Sequence, residues 1–268
     1  MIKIDGVPVT PGSFPDGTLL IKYAPQPHQK AGHTKISWYY EHDAEFLTVA
    51  YLVKHLRSHG VNDIYLYMPY IPNARQDRVK TPEDVFTLKY FAELLNSLEF
   101  SRVEVLDPHS SVSEALINNL YIYSPERYIQ EVIDRMLNST TVKGIMAFYP
   151  DEGSMKRYQG MLNLPYAFGI KFRDWQTGKI LGLEAAGMVG DVKGRDILIV
   201  DDVCSRGGTF LHSAKKLKEL GANDIYLFVS HCENTILEGE MLDGDLIKKV
   251  FTTQSIFTKT HEKIEVLK

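Results

Sequence analysis

Cysteine is scarce in this sequence. Two cysteines, Cys204 and Cys232, occur among the 268 residues. Small secreted domains held together by disulfides need several pairs, and zinc sites need closely spaced Cys and His residues, so the sequence excludes both classes. We therefore expect a protein of a reducing cytoplasm.

Long apolar runs and an excess of positive charge are also lacking. No apolar run approaches the roughly 20 residues that span a bilayer, and the start, Met1-Ile2-Lys3-Ile4-Asp5-Gly6, does not have the form of a signal peptide. The chain has 30 Lys and Arg against 34 Asp and Glu, a net charge of -4, whereas nucleic-acid-coating domains usually carry a basic excess. We expect a soluble, unprocessed protein that binds neither membranes nor nucleic acid.

A helical pattern followed by a β-branched or aromatic run recurs along the chain, with a glycine at some of the turns. Helix, turn and strand in this order are typical of α/β units with a largely parallel sheet. We therefore predict the α/β class. The predicted helix and strand pairs are 46–56 with 64–68, 86–95 with 103–106, and 211–220 with 225–229.

Two helix-to-strand junctions, residues 60–67 and 221–228, have nearly the same sequence. Solenoid repeats recur every 20–50 residues or so, so a repeat at this distance indicates two domains of similar fold. Alternatively, Gly-x-Asn-Asp is only a good helix stop. We place the domain boundary at the turn dipeptide Ser124-Pro125.

The strongest local pattern is a buried strand, Ile197 to Val200, followed by two acids and a small glycine loop. The glycines Gly207 and Gly208 allow backbone amides to approach a phosphate, and a helix N-terminus and the Thr209 hydroxyl add to the attraction. The acids Asp201 and Asp202 would repel that phosphate, so we expect them to face ribose hydroxyls or a divalent cation. A surface turn with a capping acid is the alternative.

This loop, Asp201 to Thr209, resembles the phosphoribosyl-diphosphate motif of phosphoribosyltransferases and ribose-phosphate pyrophosphokinases. Further segments resemble the pyrophosphokinases alone. Ala74-Arg75-Gln76-Asp77-Arg78 is similar to their ATP-binding segment, and paired guanidinium groups suit a triphosphate. The resemblance implies two phosphoribosyltransferase-like domains, each with a mostly parallel sheet flanked by helices. Residues 1–124 would bind ATP, and residues 125–268 would bind the sugar phosphate, with Ser205 and Arg206 in its loop.

The resemblance also implies catalytic and metal-binding residues. Asp107-Pro108-His109 is similar to the family's Asp-x-His, so His109 would lie beside the ATP phosphates and their Mg²⁺. Pro150-Asp151-Glu152-Gly153 matches the family's Pro-Asp-x-Gly, so Asp151 would help to hold the metal. Lys171-Phe172-Arg173 resembles the catalytic Lys-x-Arg that opens a mobile loop, here expected to extend to about Leu183. Cations there would meet charge that develops during transfer.

Phe14-Pro15-Asp16-Gly17 resembles the family's hairpin that stacks its aromatic ring on adenine in a neighbouring subunit, so Phe14 and Asp16 would bind ATP and the protein would be at least a homodimer. The chain departs from the family in several places. It lacks about the first twenty residues of a usual member and ends before the final helix, and Thr18 replaces a glutamate. Ser205-Arg206 replaces Asp-Thr, which leaves the acceptor open.

We therefore expect an enzyme that transfers the β,γ-pyrophosphoryl group of Mg-ATP to the 1-hydroxyl of a phosphorylated ribose and releases AMP. The acceptor would be ribose 5-phosphate or ADP-ribose, the latter giving a precursor for NAD synthesis. A phosphoribosyltransferase would use the same sugar loop, but it has no use for Arg75 to Arg78 or His109. A catalytically silent regulatory subunit should have lost Lys171 and Arg173.

Overall fold

The structure, a computed structural model, describes residues 1–30, 32–139, 144–173 and 180–268, with the backbone alone for 30, 139, 171–173 and 180–183. The chain divides into two compact units, Met1–Ser124 and Pro125–Lys268. In each unit helices alternate with mainly parallel strands, which confirms the predicted α/β class. None of the described helices is long and apolar enough to cross a membrane.

Unit 1 contains a sheet with the strand order β2-β1-β5-β6-β7-β8 and a small hairpin, β3-β4. Strand β1 is antiparallel to β2 and β5, and the remaining neighbours are parallel. Its strands are β1 (Ile2–Ile4), β2 (Val7–Val9), β3 (Gly12–Ser13), β4 (Leu19–Leu20), β5 (Thr34–Trp38), β6 (Ile64–Tyr67), β7 (Arg102–Leu106) and β8 (Leu120–Tyr123). Its helices are α1 (Ala44–Ser58), α2 (Thr87–Asn96) and α3 (Val112–Leu116).

The helices of unit 1 pack on one face of this sheet. Strands β5 to β8 follow one another in sequence and in space, so right-handed crossovers bring every connecting helix to the same side. Alternate strand residues such as Ile36, Leu66 and Val103 join the apolar core with α1 and α2. The other face carries tyrosines and cations, with Lys35 Nζ 4.7 Å from the centre of the Tyr67 ring.

Unit 2 contains a sheet with the strand order β11-β10-β9-β12-β13-β14-β15. Only β10 and β11 are antiparallel among the described strands of this sheet. Its strands are β9 (Ile145–Tyr149), β10 (Tyr166–Arg173), β11 (Ile180–Gly187), β12 (Asp196–Cys204), β13 (Ile225–Cys232), β14 (Lys249–Thr253) and β15 (Ile264–Leu267). Its helices are α4 (Glu126–Ser139), α5 (Glu152–Tyr158) and α6 (Gly208–Glu219).

The strand order of unit 2 reverses between β9 and β12. In open parallel sheets, ligands bind beyond the carboxyl ends of the strands at such a switch point. Both strands are buried on both faces along most of their length, as expected where helices cover the two sides of a sheet. This fold therefore positions the ends of β9 and β12 for binding.

The two repeated junctions have the same local structure. Gly60 and Gly221 adopt φ values of 85° and 88°, in the left-handed region that favours glycine. The next amide donates back to the helix in both places, from Val61 to the Leu56 carbonyl at 3.1 Å and from Ala222 to the Leu217 carbonyl at 3.0 Å. The repeat is thus a helix stop of one design used in both units.

The chain from Lys171 towards Leu183 differs from the expected loop. Its described parts belong to β10 and β11, which pair as an antiparallel hairpin with Lys171 opposite Leu183. A run that contains Ile170, Phe172, Ile180 and Leu181 can extend two strands, and no proline interrupts it. The mobility expected for this loop stays a prediction.

Candidate active site

The glycine loop of unit 2 lies between a strand and a helix, as the sequence pattern predicts. Strand β12 continues past Val200 through both acids to Cys204, because β13 pairs with it as far as Cys232. Helix α6 begins at Gly208, directly after Gly207 at φ 79°. The loop residues Ser205 to Gly207 therefore precede a helix N-terminus, where backbone amides and the helix dipole favour an anion.

A segment that the sequence analysis missed packs against this loop. A methyl group on Gly207 would lie 2.8 Å from Met241 Sδ, and one on Gly239 would lie 2.0 Å from the Arg206 carbonyl oxygen. Both contacts are closer than real Cβ atoms show, so a side chain on Gly239 would clash with backbone and one on Gly207 would have to displace Met241. The acids on either side of Gly239 are not a distinctive sequence pattern. The sequence alone therefore does not predict that this segment lies at the site.

The structure brings the predicted acids of unit 2 together. Burial raises the pKa of Asp201 well above its ordinary value of 3.8, and the carboxylates of Asp202 and Asp151 raise it further. The Asp202 amide donates to Asp201 Oδ1 at 3.0 Å, and Arg157 Nη1 lies 3.4 Å from Asp202 Oδ2. Crowded carboxylates of this kind favour a bound proton or a cation.

Asp151 also caps a helix. It follows β9, the neighbour of β12, and its Oδ1 accepts a hydrogen bond from the Ser154 amide at 3.0 Å, at the start of α5. This arrangement fixes the carboxylate at the switch point of the sheet.

A divalent cation fits this site only with help from a ligand. Within the described residues, no group of three or more His, Cys, Asp or Glu side chains could hold a metal ion. Mg²⁺ is usually bound by one or two carboxylates together with water and substrate phosphates. The oxygen donors of Asp151 and Asp201 suit that mode of binding.

The two loop residues that depart from the family pattern have side-chain partners. Ser205 Oγ lies 3.1 Å from Thr235 Oγ1, and Arg206 Nη2 donates to Glu238 Oε2 at 2.8 Å. The Arg206 and Glu238 side chains are 69% and 57% exposed, so solvent screens their attraction. Thr209 follows in the first turn of α6.

The predicted ATP-binding segment of unit 1 follows β6 and contains an ion pair between Asp77 and Arg78. Asp77 is buried and accepts two hydrogen bonds from Arg78, from Nε at 2.7 Å and from Nη2 at 2.9 Å. The Arg78 guanidinium lowers the pKa of Asp77 to about 2. Arg75 and Gln76 are exposed, and Gln76 Oε1 accepts a hydrogen bond from Thr87 Oγ1 at 2.8 Å. The segment thus exposes the guanidinium groups of Arg75 and Arg78, and the buried Asp77 holds that of Arg78 in place.

His109 lies near this segment, as its predicted role requires. It follows β7 after Asp107, which is buried at a φ of 42°. The charge of His109 contributes, after Arg78 and a hydrogen bond from Ser110, to the lowered pKa of Asp77. The structure therefore brings together the histidine and the arginine segment, although the sequence separates them by some thirty residues.

Phe14 and Asp16 lie in the turn of the β3-β4 hairpin. Phe14 is 49% exposed. Asp16 Oδ1 accepts from the Thr18 amide at 3.0 Å and from its hydroxyl at 2.7 Å, and the first of these bonds lowers the pKa of Asp16 most. Asp16 therefore stabilises the turn that presents Phe14.

The remaining predicted residues, Lys171 and Arg173, belong to β10 by their backbone, and their side chains lie outside the described residues. Their catalytic role stays a prediction.

Comparison with known proteins identifies the relatives of this chain. A family model described as "Phosphoribosyl synthetase-associated domain" matches residues 184–268. The ribose-phosphate pyrophosphokinase of Shewanella oneidensis is 26% identical over 210 residues, which cover 76% of this chain and 64% of that protein. Ribose-phosphate pyrophosphokinase 2 of Schizosaccharomyces pombe is 30% identical over 216 residues, 76% of this chain and 64% of that protein. The chain thus spans less than two thirds of the length of these relatives.

The fold agrees with these matches. The phosphoribosylpyrophosphate synthetase of Mycobacterium smegmatis superimposes with a TM-score of 0.76 at 19% identity, covering 97% of this chain and 85% of that chain. The ribose-phosphate pyrophosphokinase of Thermococcus kodakarensis is 26% identical over 221 residues, 81% of this chain and 75% of that protein. In sequence, this chain is thus similar to ribose-phosphate pyrophosphokinases, and its fold is similar to that of the mycobacterial synthetase.

Proposed function

We propose that this protein is an ATP-dependent diphosphokinase, which transfers the β,γ-pyrophosphoryl group of ATP to the 1-hydroxyl of a phosphorylated ribose. The bond between the α- and β-phosphates breaks, the sugar oxygen bonds to the β-phosphorus, and AMP leaves. The names of the relatives support this reaction.

The observation that carries the proposal is that each unit has polar residues suited to a phosphate after one of its parallel strands. A phosphoribosyltransferase needs the glycine loop of unit 2, but nothing in its reaction requires a second phosphate-binding segment. Unit 1 has such a segment in Arg75 to Arg78, with Asp77 anchoring Arg78 through two hydrogen bonds. Two ligands, a sugar phosphate and a nucleoside triphosphate, match the two strand ends.

In unit 2, the amides of Gly207 and Gly208 and the Thr209 hydroxyl would bind the sugar's 5-phosphate, with Ser205 and Arg206 beside them. Asp201 and Asp202 would accept hydrogen bonds from ribose hydroxyls. Because Asp201 is crowded by two further carboxylates, a nearby cation would stabilise its ionised form.

In unit 1, Arg75, Gln76 and Arg78 would bind the ATP phosphates, with His109 beside them. Phe14 would stack on adenine, presented by the turn that Asp16 stabilises. His109 would also lie beside the Mg²⁺ that neutralises triphosphate charge, and Asp151 of unit 2 would help to hold a metal ion. Lys171 and Arg173 would stabilise the charge that develops on the transferring oxygens. We further propose that the protein is a homodimer or a higher homo-oligomer.

We propose ribose 5-phosphate as the acceptor, as the names of the relatives indicate, with ADP-ribose as the second candidate. The observation that favours ADP-ribose is the exposed Arg206, since a guanidinium has five N–H donors and could bind a second phosphate. Against it, Arg206 already has a partner in Glu238.

The reaction is tested by incubating the protein with Mg-ATP and either ribose 5-phosphate or ADP-ribose, and following AMP. We expect AMP as the nucleotide product and no reaction after magnesium is chelated. ADP as the primary product would contradict the mechanism. Turnover without ATP, from a sugar diphosphate and a base, would instead identify a phosphoribosyltransferase, and no turnover at all would favour a silent regulatory subunit.

A further inference from the structure

The segment Glu233–Met241, which follows β13, forms one wall of the glycine loop in unit 2. The Glu233 amide donates to the Cys204 carbonyl at 2.8 Å, directly before the loop. Thr235 contacts Ser205 through the two hydroxyls, and Gly239 packs against the Arg206 carbonyl. These contacts hold the wall segment in one register against the loop, so its side chains have fixed neighbours there.

The wall also sets the charge of the loop. Residues Ser205 to Thr209 contain a single ionisable side chain, Arg206. Its guanidinium lies 2.8 Å from the Glu238 carboxylate, so the wall supplies a negative charge against the loop's positive charge. An incoming phosphate therefore meets backbone amides and a helix N-terminus, together with an ion pair of no net charge.

We propose that Glu238 is a specificity-determining residue for the phosphate of the acceptor, because it offsets the charge of Arg206. This inference rests on the proposed function only in that the bound anion is the acceptor's phosphate. Without Glu238 the guanidinium would be available to phosphate oxygens, with which it forms paired hydrogen bonds. Without Arg206, the Glu238 carboxylate would be left beside the anion and would repel it.

The two charges therefore predict opposite effects of two substitutions on binding. Glu238→Gln keeps an acceptor for Arg206 but removes the negative charge, and we expect it to tighten binding by about threefold to tenfold. Arg206→Thr should weaken binding by a similar factor. The double variant should bind nearly as the wild type does, because both charges are gone.

The measurement is calorimetric titration of the full chain with ribose 5-phosphate and, separately, with inorganic phosphate, at low and at high ionic strength. The changes should shrink at high salt, since the groups are exposed. Glu219→Gln is the matched control: it makes the same charge change in an exposed pair of α6, where Glu219 lies 3.3 Å from Lys216, outside the loop. We expect binding by this control to equal that of the wild type.

Unchanged binding by Glu238→Gln, an equal change in Glu219→Gln, or a double variant that binds far more tightly or far more weakly than the wild type would overturn this inference. The absence of anion binding in every variant would overturn it as well. Because binding is measured directly, the proposed function fails separately, when phosphate and ribose 5-phosphate bind as expected but no AMP is formed.

Discussion

Asp201 carries a conflict between stability and binding. Its pKa is raised in the folded protein, so the folded state holds the proton more tightly than the unfolded chain does. Its contribution to the free energy of unfolding is therefore largest below the ordinary value of 3.8 and falls as pH rises through the raised pKa. At neutral pH this carboxylate lowers the stability of the protein without ligands, as residues at functional sites often do.

Asp201→Asn should consequently raise the midpoint of thermal unfolding at neutral pH by a few degrees and abolish AMP formation. Scanning calorimetry without ligands checks the first expectation. Asp196→Asn, in the same strand, is the control with the opposite sign. Asp196 is buried, and its Oδ1 accepts hydrogen bonds from Asn223 at 2.6 Å and from the Asp224 amide at 3.1 Å. In Asp196→Asn these bonds lose the negative charge of their acceptor and become weaker, so the midpoint should fall. A fall in both midpoints would show that Asp201 is structural.

Lys171 should act on charge that develops in the transition state. We expect Lys171→Ala to lower kcat by about 10²–10³ while the affinity for ATP stays within a few-fold, as for other donors to a developing charge. Steady-state kinetics and equilibrium ATP binding separate the two quantities. Lys156→Ala, which removes an exposed lysine paired with Glu152 on α5, is the control and should leave both unchanged. Normal kcat with poor binding would make Lys171 an ATP anchor.

At the scale of elements, the β12-loop-α6 unit depends on two adjacent glycines in different ways. Gly207 adopts a left-handed φ of 79°, and a methyl group there would meet Met241 at 2.8 Å, whereas a methyl group on Gly208 meets nothing within 4 Å. Gly207→Ala should therefore destabilise the protein by roughly 1–3 kcal/mol, from backbone strain and overpacking. Gly208→Ala should leave the stability nearly unchanged. Urea unfolding measures both, and equal losses would contradict this account.

The periodicity of apolar residues predicted which helices and strands form better than it predicted where they end. Helix α1 contains its predicted span, and α2 and α6 contain all but one terminal residue of theirs, because apolar residues recur on the face that meets the core. Strand β12 was expected to end at Val200, since acids usually mark a strand end. It continues to Cys204 because the pairing with β13, a long-range contact, satisfies its backbone. The hairpin of β10 and β11 was missed because the resemblance of Lys171-Phe172-Arg173 to the family's motif implied a loop there.

The candidate site was predictable where its residues are close together in the sequence, as in the glycine loop. Long-range contacts were not: the sequence gives no sign that Glu238 pairs with Arg206, some thirty residues away, or that Asp151 contributes to the field at Asp201. Thr87, which donates to Gln76 from the start of α2, was missed for the same reason.

At the scale of the whole molecule, strand composition reflects how each sheet is covered. In unit 1, Ile64-Tyr65-Leu66-Tyr67 alternates apolar with amphipathic residues, and only one face joins the core. In unit 2, Ile197-Leu198-Ile199-Val200 is apolar throughout and buried on both faces. This difference follows from strand order, since only the order in unit 2 reverses and sends helices to both sides. The two similar helix-to-strand junctions thus belong to sheets that differ in how many of their faces are covered.

Phe14 is proposed to stack on adenine in the ATP site of a second copy of the chain. Because Phe14 is 49% exposed, Phe14→Ala should leave thermal stability unchanged and weaken ATP binding by roughly 1–3 kcal/mol, the value of a base stacked on an aromatic ring. Leu94→Ala, another exposed apolar truncation in unit 1, is the control and should bind ATP normally.

Mixing two variants, at an ATP concentration too low for either to form AMP alone, decides whether Phe14 acts across the subunit boundary. Phe14→Ala lacks the ring, and Arg75→Ala lacks the phosphate-binding guanidinium of the same proposed site. If Phe14 serves the partner's site, each mixed dimer regains one site with both groups, while the other site lacks both. Random pairing makes half of the dimers mixed, so AMP formation should recover to about a quarter of the wild-type rate. If Phe14 serves its own chain, every site in the mixture keeps one defect, and mixing restores nothing.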